Sequence, residues 1–168
     1  MSELADGKEN NFNLQTPSNP MKLLKEIKFI VVHHTRGDYD SIDKIKEFHT
    51  KVRGWKDIGY HWVIGDGKGL IDGKLYKGRS EKFIGAHVKG FNQNSIGIVL
   101  VGNFDKAPPS KKQIETLIKF LKAKMKKYKI SSGNILGHNE TKDATKTCPG
   151  RFIDMNWIRS NLSNSKLI

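Results

Sequence analysis

The stretch Phe29-Ile30-Val31-Val32-His33-His34 decides how this chain is read. Phe29 to Val32 are apolar and rich in β-branching, a composition that suits a strand covered on both faces, as in the middle of a sheet. The strand ends in two histidines. Adjacent strand residues point to opposite faces, so only one of the pair easily reaches a given ion or substrate.

Working outward, Ile42, Ile45, Phe48 and Val52 recur at helical spacing behind Ser41, and Gly54 stops the pattern, which predicts a short amphipathic helix. Tyr60–Ile64 reads as a second strand. The Gly65-Asp66-Gly67 and Asp72-Gly73 turns predict a hairpin reaching about Tyr76. Ser95–Val101 is almost wholly apolar, like a further central strand. The clearest helix opens with a capping box, Ser110 and Gln113, and carries Ile114, Leu117, Ile118, Leu121, Met125 and Tyr128 on one stripe. The Ser131-Ser132-Gly133 turn ends it. A short strand near 134–136 leads to His138, and a last helix runs from about Asp154 to Leu162. This alternation predicts the α/β class: a single domain with a central mixed β-sheet flanked by helices.

The 168 residues suffice for one ordinary domain. Residues 1–20 are polar, rich in Asn and Ser, and hold two prolines, so they read as a flexible extension ahead of a domain at 21–168. Thirty Lys and Arg against 17 Asp and Glu give a net charge of +13, which favours a polyanionic partner such as nucleic acid, an anionic membrane or an acidic wall polymer. No stacked aromatic and basic motif or Gly-rich phosphate loop supports direct nucleic-acid recognition. No stretch approaches the ~20 apolar residues of a membrane span, and the N-terminus has no apolar signal core. The expectation is a chain without a signal peptide, kept in a reducing cytoplasm. A single cysteine excludes an internal disulfide, leaving Cys148 as either a buried apolar filler or a reactive or metal-bound thiolate.

The chain's chemistry gathers in VVHH at Val31–His34, GYHW at Gly59–Trp62, GHNE at Gly137–Glu140 and KTCPG at Lys146–Gly150. One histidine of the first pair, His138 and Cys148 make an N/S donor set of the kind that holds catalytic zinc with a fourth position open for water. His138 and Cys148 are separated by a loop containing Asp143, Lys146 and Pro149, long enough to fold back on itself. The bland alternative is a satisfied core histidine and an apolar thiol.

In order along the chain, V-V-H-H-T, D-I-G-Y-H-W, G-A-H-V-K-G, N-S-I-G-I-V-L-V-G, G-H and K-T-C-P-G resemble the zinc-dependent N-acetylmuramoyl-L-alanine amidases, the type that includes small phage lysozymes and peptidoglycan recognition proteins. The match runs from about Phe29 to Trp157 and looks most like the small phage endolysins. The resemblance implies one Zn2+ at an edge of the sheet, held by His33, His138 and Cys148. It implies Tyr60 and Lys146 as catalytic residues, and His87 and Asn94 as substrate contacts. His49 and His61 read as structural. Some relatives place a glutamate in the strand matching Ser95–Gly102, where this chain has Val99 and Val101, so the general base is left open between Tyr60 and zinc-bound hydroxide.

The implied reaction is hydrolysis of the amide joining the muramic acid lactyl group to L-alanine, by a monomeric phage endolysin that waits in the host cytoplasm. Its partners would be peptidoglycan and anionic envelope polymers. Relatives lacking the thiol bind peptidoglycan without cleaving it, so Cys148 argues for an enzyme. A cytosolic muropeptide-recycling amidase, and a peptidoglycan-binding protein or one regulating a phage RNA polymerase, are the alternatives.

Overall fold

The computed structural model describes residues 20–142 and 147–163. The extension expected at 1–20 lies, but for Pro20, outside the described residues. β1 (Phe29–His34) is parallel to β4 (Ser95–Leu100) on one side and to β5 (Ile135–Gly137) on the other. β2 (Trp62–Ile64) runs parallel to β4 and antiparallel to β3 (Leu75–Lys77). The result is the expected mixed sheet, of five strands in the order β3-β2-β4-β1-β5.

Alternation along the strands divides the core. Ile30, Val32, Ile96, Ile98 and Leu100 face α2 (Lys111–Tyr128) and α3 (Met155–Ser163), where Leu117, Leu121, Ile158 and Leu162 cover them. Val63, Val99 and Val101 face the other way and pack with Ile58 and with Ile45 of α1 (Ile42–Glu47). Both faces are therefore closed, which is why β1 and β4 are so continuously apolar.

Ser41 caps α1, its Oγ accepting the Lys44 N–H at 3.2 Å. Beyond Glu47 the helix widens into a π-helical turn, Phe48–Val52. That turn fits an extra residue into each hydrogen-bonded ring and shifts the phase of the apolar stripe. Val52, which the spacing placed inside, is 68% exposed, and His49 is buried in its place. The capping box of α2 forms as read, with Gln113 N–H on Ser110 Oγ at 3.0 Å and Ser110 N–H on Gln113 Oε1 at 3.1 Å. The helix stops earlier than the Ser131-Ser132-Gly133 turn: Lys129 takes the left-handed conformation, φ 55°, and the Ile130 N–H closes on the Met125 carbonyl.

Away from the histidines, Glu81 ties β2 to α2. It accepts from Trp62 Nε1–H at 2.6 Å, from the Tyr128 hydroxyl and from the Lys124 ammonium. Burial pushes its carboxyl up, but these three donors outweigh burial and hold it at about 2. Glu81→Ala strands Lys124, whose side chain is 12% exposed. The expected cost is about 3–5 kcal/mol in denaturant unfolding, most of it recovered in Glu81→Ala/Lys124→Met.

Candidate metal centre

His33 and His34 end β1 on opposite faces, as strand alternation requires. His34 turns to the α2 face, where its Nδ1 accepts the Phe104 N–H at 3.1 Å. His33 turns to the α1 face. There its Nδ1 lies 3.7 Å from Cys148 Sγ, and its ring stacks obliquely on His138 at 4.8 Å between centroids. One donor atom from each of His33, His138 and Cys148 falls within 4.8 Å of the others. Ligands on one tetrahedral zinc, with Zn–S near 2.3 Å and Zn–N near 2.0–2.1 Å, stand about 3.5 Å apart, so this N/S set fits the ion.

Two far-apart segments are locked into that arrangement by backbone. β5 brings Gly137 beside Val32, and a short 3-10 turn from His138 to Glu140 follows it. The Asn139 N–H then donates to the Cys148 carbonyl at 2.7 Å, joining the segments that carry the second and third donors. Glu140 accepts the Gly137 N–H at 2.8 Å and a bidentate pair from Arg159 on α3, also at 2.8 Å. Asp105 braces the other side, accepting from Thr147 Oγ at 2.6 Å and from the Arg151 N–H at 3.1 Å.

The donors open into a cleft of about 470 Å³, lined also by Tyr60, His87, Arg36, Arg53 and Trp55. The Tyr60 ring lies 5.2 Å from His33 and 5.3 Å from His49. Burial raises its phenol, with a further push from Cys148, so at neutral pH Tyr60 offers a hydroxyl and not a phenolate. Burial likewise pushes the Cys148 thiol up to about 11. His33 and His87 are held well below the usual histidine range, first by burial and then by neighbouring imidazoles, so both rings are neutral.

A family model described as N-acetylmuramoyl-L-alanine amidase matches residues 23–151. The chain belongs to that amidase family. Among relatives, peptidoglycan-recognition protein SC2 of Drosophila melanogaster is 32% identical over 148 residues, covering 83% of this chain and 77% of its own. The N-acetylmuramoyl-L-alanine amidase of Mus musculus is 32% identical over 109 residues, covering 59% of this chain but 20% of its own. Among solved structures, the N-acetylmuramoyl-L-alanine amidase LysC from Clostridium intestinale superposes with a TM-score of 0.77 at 33% identity, over 86% of this chain and 90% of that one.

Set in this amidase fold, the residues singled out by motif fall into three groups. His33, His138, Cys148, Tyr60 and His87 converge on the cleft. Asn94 does not: it precedes Ser95 at the start of β4, whereas Val99, the register partner of His33, is near that strand's other end. The Asn94 carbonyl accepts the Lys28 N–H at 2.8 Å, which ties the two strand entries together. Lys146 lies outside the described residues. His49 and His61 are buried and bonded to backbone, His49 Nδ1 to the Gly59 N–H and His61 Nδ1 to the Gly97 N–H, each at 3.0 Å. Arg36, Arg53 and Trp55 were not singled out by motif; nothing in their spacing marks them, and only the folded α1 face puts them at the cleft. Among the described residues lining it there is no carboxylate, and Val99 is fully buried in the apolar layer.

Burial pushes both His34 and His49 down to about 4, below the ordinary 6.5 of an unfolded histidine. Between these values the unfolded chain binds the extra proton, so their stabilisation is complete above pH 6.5 and is lost as pH falls toward 4. Urea midpoints of the metal-free chain are expected to drop across that window, by on the order of 3 kcal/mol for each of the two imidazoles. A flat profile from pH 7 to 4.5 would contradict this placement.

Proposed function

We propose that this chain is a zinc-dependent hydrolase that cuts the amide between the muramic acid lactyl group and L-alanine of peptidoglycan. The observation carrying this reading is the convergence of His33, His138 and Cys148, from three separate segments, at the floor of the cleft. Bound there, zinc would polarise the scissile carbonyl and bring the pKa of a coordinated water down to about 7. The chain's own groups do the rest. Tyr60, as a neutral phenol, donates a hydrogen bond toward the reacting centre and can pass its proton to the departing amine. Lys146, assigned by the family resemblance, would supply a cation for the developing oxyanion, a role worth a few kcal/mol for a well-placed donor. With no carboxylate in the described lining and the Tyr60 phenol protonated, the base function would fall to metal-bound hydroxide itself. His87 lines the cleft beside His33, and Asn94 serves the strand entry.

The biological reading is a monomeric phage endolysin held in the host cytoplasm until the membrane is breached. Similarity to LysC, and to a second C. intestinale structure, an endolysin amidase, supports it. No helix among the described residues is long and apolar enough to cross a membrane. The +13 charge suits an anionic envelope. Similarity to peptidoglycan-recognition proteins favours a second reading, binding to peptidoglycan without cleavage. Zinc and Cys148 separate the two.

The deciding assay is release of free N-terminal L-alanine from purified peptidoglycan. Activity is expected to vanish on chelation, return with zinc, and be absent in Cys148→Ser. A zinc-loaded chain that binds sacculi and releases no alanine instead supports recognition alone. Raising salt from about 0.1 to 1 M shortens the Debye length from roughly 10 to 3 Å, so sacculus binding is expected to fall steeply over that range.

A further inference from the structure

We propose that His87 is a positioning residue: packed closely against Gly85 and Gly97, it fixes which ring nitrogen of His33 carries the proton and so which one faces the metal. The inference rests on the zinc reading above, but its key observable does not require the metal.

The sheet register supplies the track. Phe29 pairs with Ser95, Val31 with Gly97 and His33 with Val99, so by alternation Ser95, Gly97 and Val99 of β4 share the face onto which His33 projects. The His87 imidazole lies along this face directly over Gly97, and a Cβ added there would stand 2.5 Å from His87 Cγ. A Cβ at Gly85 would stand 2.6 Å from His87 Cδ2 as well. Both glycines are thus required by a close approach and not by a turn. The backbone is pinned as well. Asn92 Oδ1 accepts the N–H groups of His87 and Val88, each at 2.9 Å. Gly97 is held by its N–H to His61 Nδ1, while the other nitrogen of His61 donates to the Phe83 carbonyl at 2.9 Å. His87 itself is buried, 8% exposed.

Hydrogen-bond direction then propagates along the track. Ser95 has one hydroxyl proton and gives it to the Phe91 carbonyl at 2.7 Å. Toward His87 Nε2, 3.4 Å away, the same oxygen can only accept, so His87 carries its proton on Nε2. His87 Nδ1 is therefore a lone pair, and it sits 3.1 Å from His33 Nε2. His33 must present Nε2–H there. Its remaining lone pair is on Nδ1, the nitrogen 3.7 Å from Cys148 Sγ. Partners of this kind, which orient a ligand imidazole through its distal nitrogen, typically change metal affinity 10–100-fold when removed.

The test uses the full chain with 15N-labelled histidine. In the metal-free wild type, ring nitrogen shifts are expected to show His33 protonated at Nε2. Zinc affinity, read by competition with a chromophoric chelator, is expected to fall about 10- to 100-fold in His87→Leu. His87→Asn puts an acceptor oxygen close to the former Nδ1 and is expected to restore most of that loss. A His33 protonated at Nδ1 in the wild type overturns the proposal, and that measurement needs no variant to fold. Equal zinc affinity in folded His87→Leu, or equal losses in the Leu and Asn variants, overturns it too, the last by showing a packing role alone. A chain with His33 in the expected tautomer that takes up no zinc supports the relay and sinks the zinc reading instead.

Discussion

β1 is hydrogen-bonded along both edges, to β4 and to β5, and that double pairing leaves it no freedom to slip. Slippage by one residue would exchange the faces of His33 and His34, carrying the His33 imidazole into the apolar layer under α2. The fully buried Ile30, Val31 and Val32 make such a slip costly, because every side chain would meet the wrong neighbours. The same register brings Gly137 level with Val32 and so delivers His138 beside His33. Two of the three donors are therefore set by strand pairing, and the third by the Asn139 to Cys148 backbone bond.

Much of this was legible in the residues. The apolar run ending in two histidines announced a central strand with a donor at its tip, and the Ser110–Gln113 box marked the start of α2. What was not legible depended on long-range geometry. The π-helical turn at Phe48–Val52 is a matter of hydrogen-bond ring size that spacing does not reveal, so Val52 and His49 exchanged places. β2 is shorter than the expected Tyr60–Ile64. The carbonyls of Tyr60 and His61 are taken by Arg79 and Gly78, and regular pairing begins at Trp62. Lys129 occupies a left-handed position where a glycine was the natural expectation, because the Met125 carbonyl is closed from Ile130 before the chain reaches Gly133.

The candidate site shows the same division. Its donors were legible by residue type and motif. The surroundings of His87 were not, because they belong to no local pattern: Gly85 and Gly97 approach its ring and Asn92 accepts its backbone N–H. A histidine in a polar, Gly-flanked stretch reads as a loop residue until the sheet supplies the face on which it lies. Arg36 and Arg53 likewise look like two more cations in a chain of net charge +13. Both stand at the cleft, Arg36 paired with Asp105 at 3.4 Å.

His33 and Cys148 stand 115 positions apart, yet their donor atoms are in contact distance. Closing so long a loop carries an entropic cost that the sheet and the Asn139 link have already met before any ion arrives. An ion entering this cleft therefore has little chain left to order. Its capture and loss would then be an exchange through the mouth of the cleft, separate from folding. On the zinc reading the folded chain would be emptied and refilled without unfolding, unlike a small finger domain that falls apart without its metal.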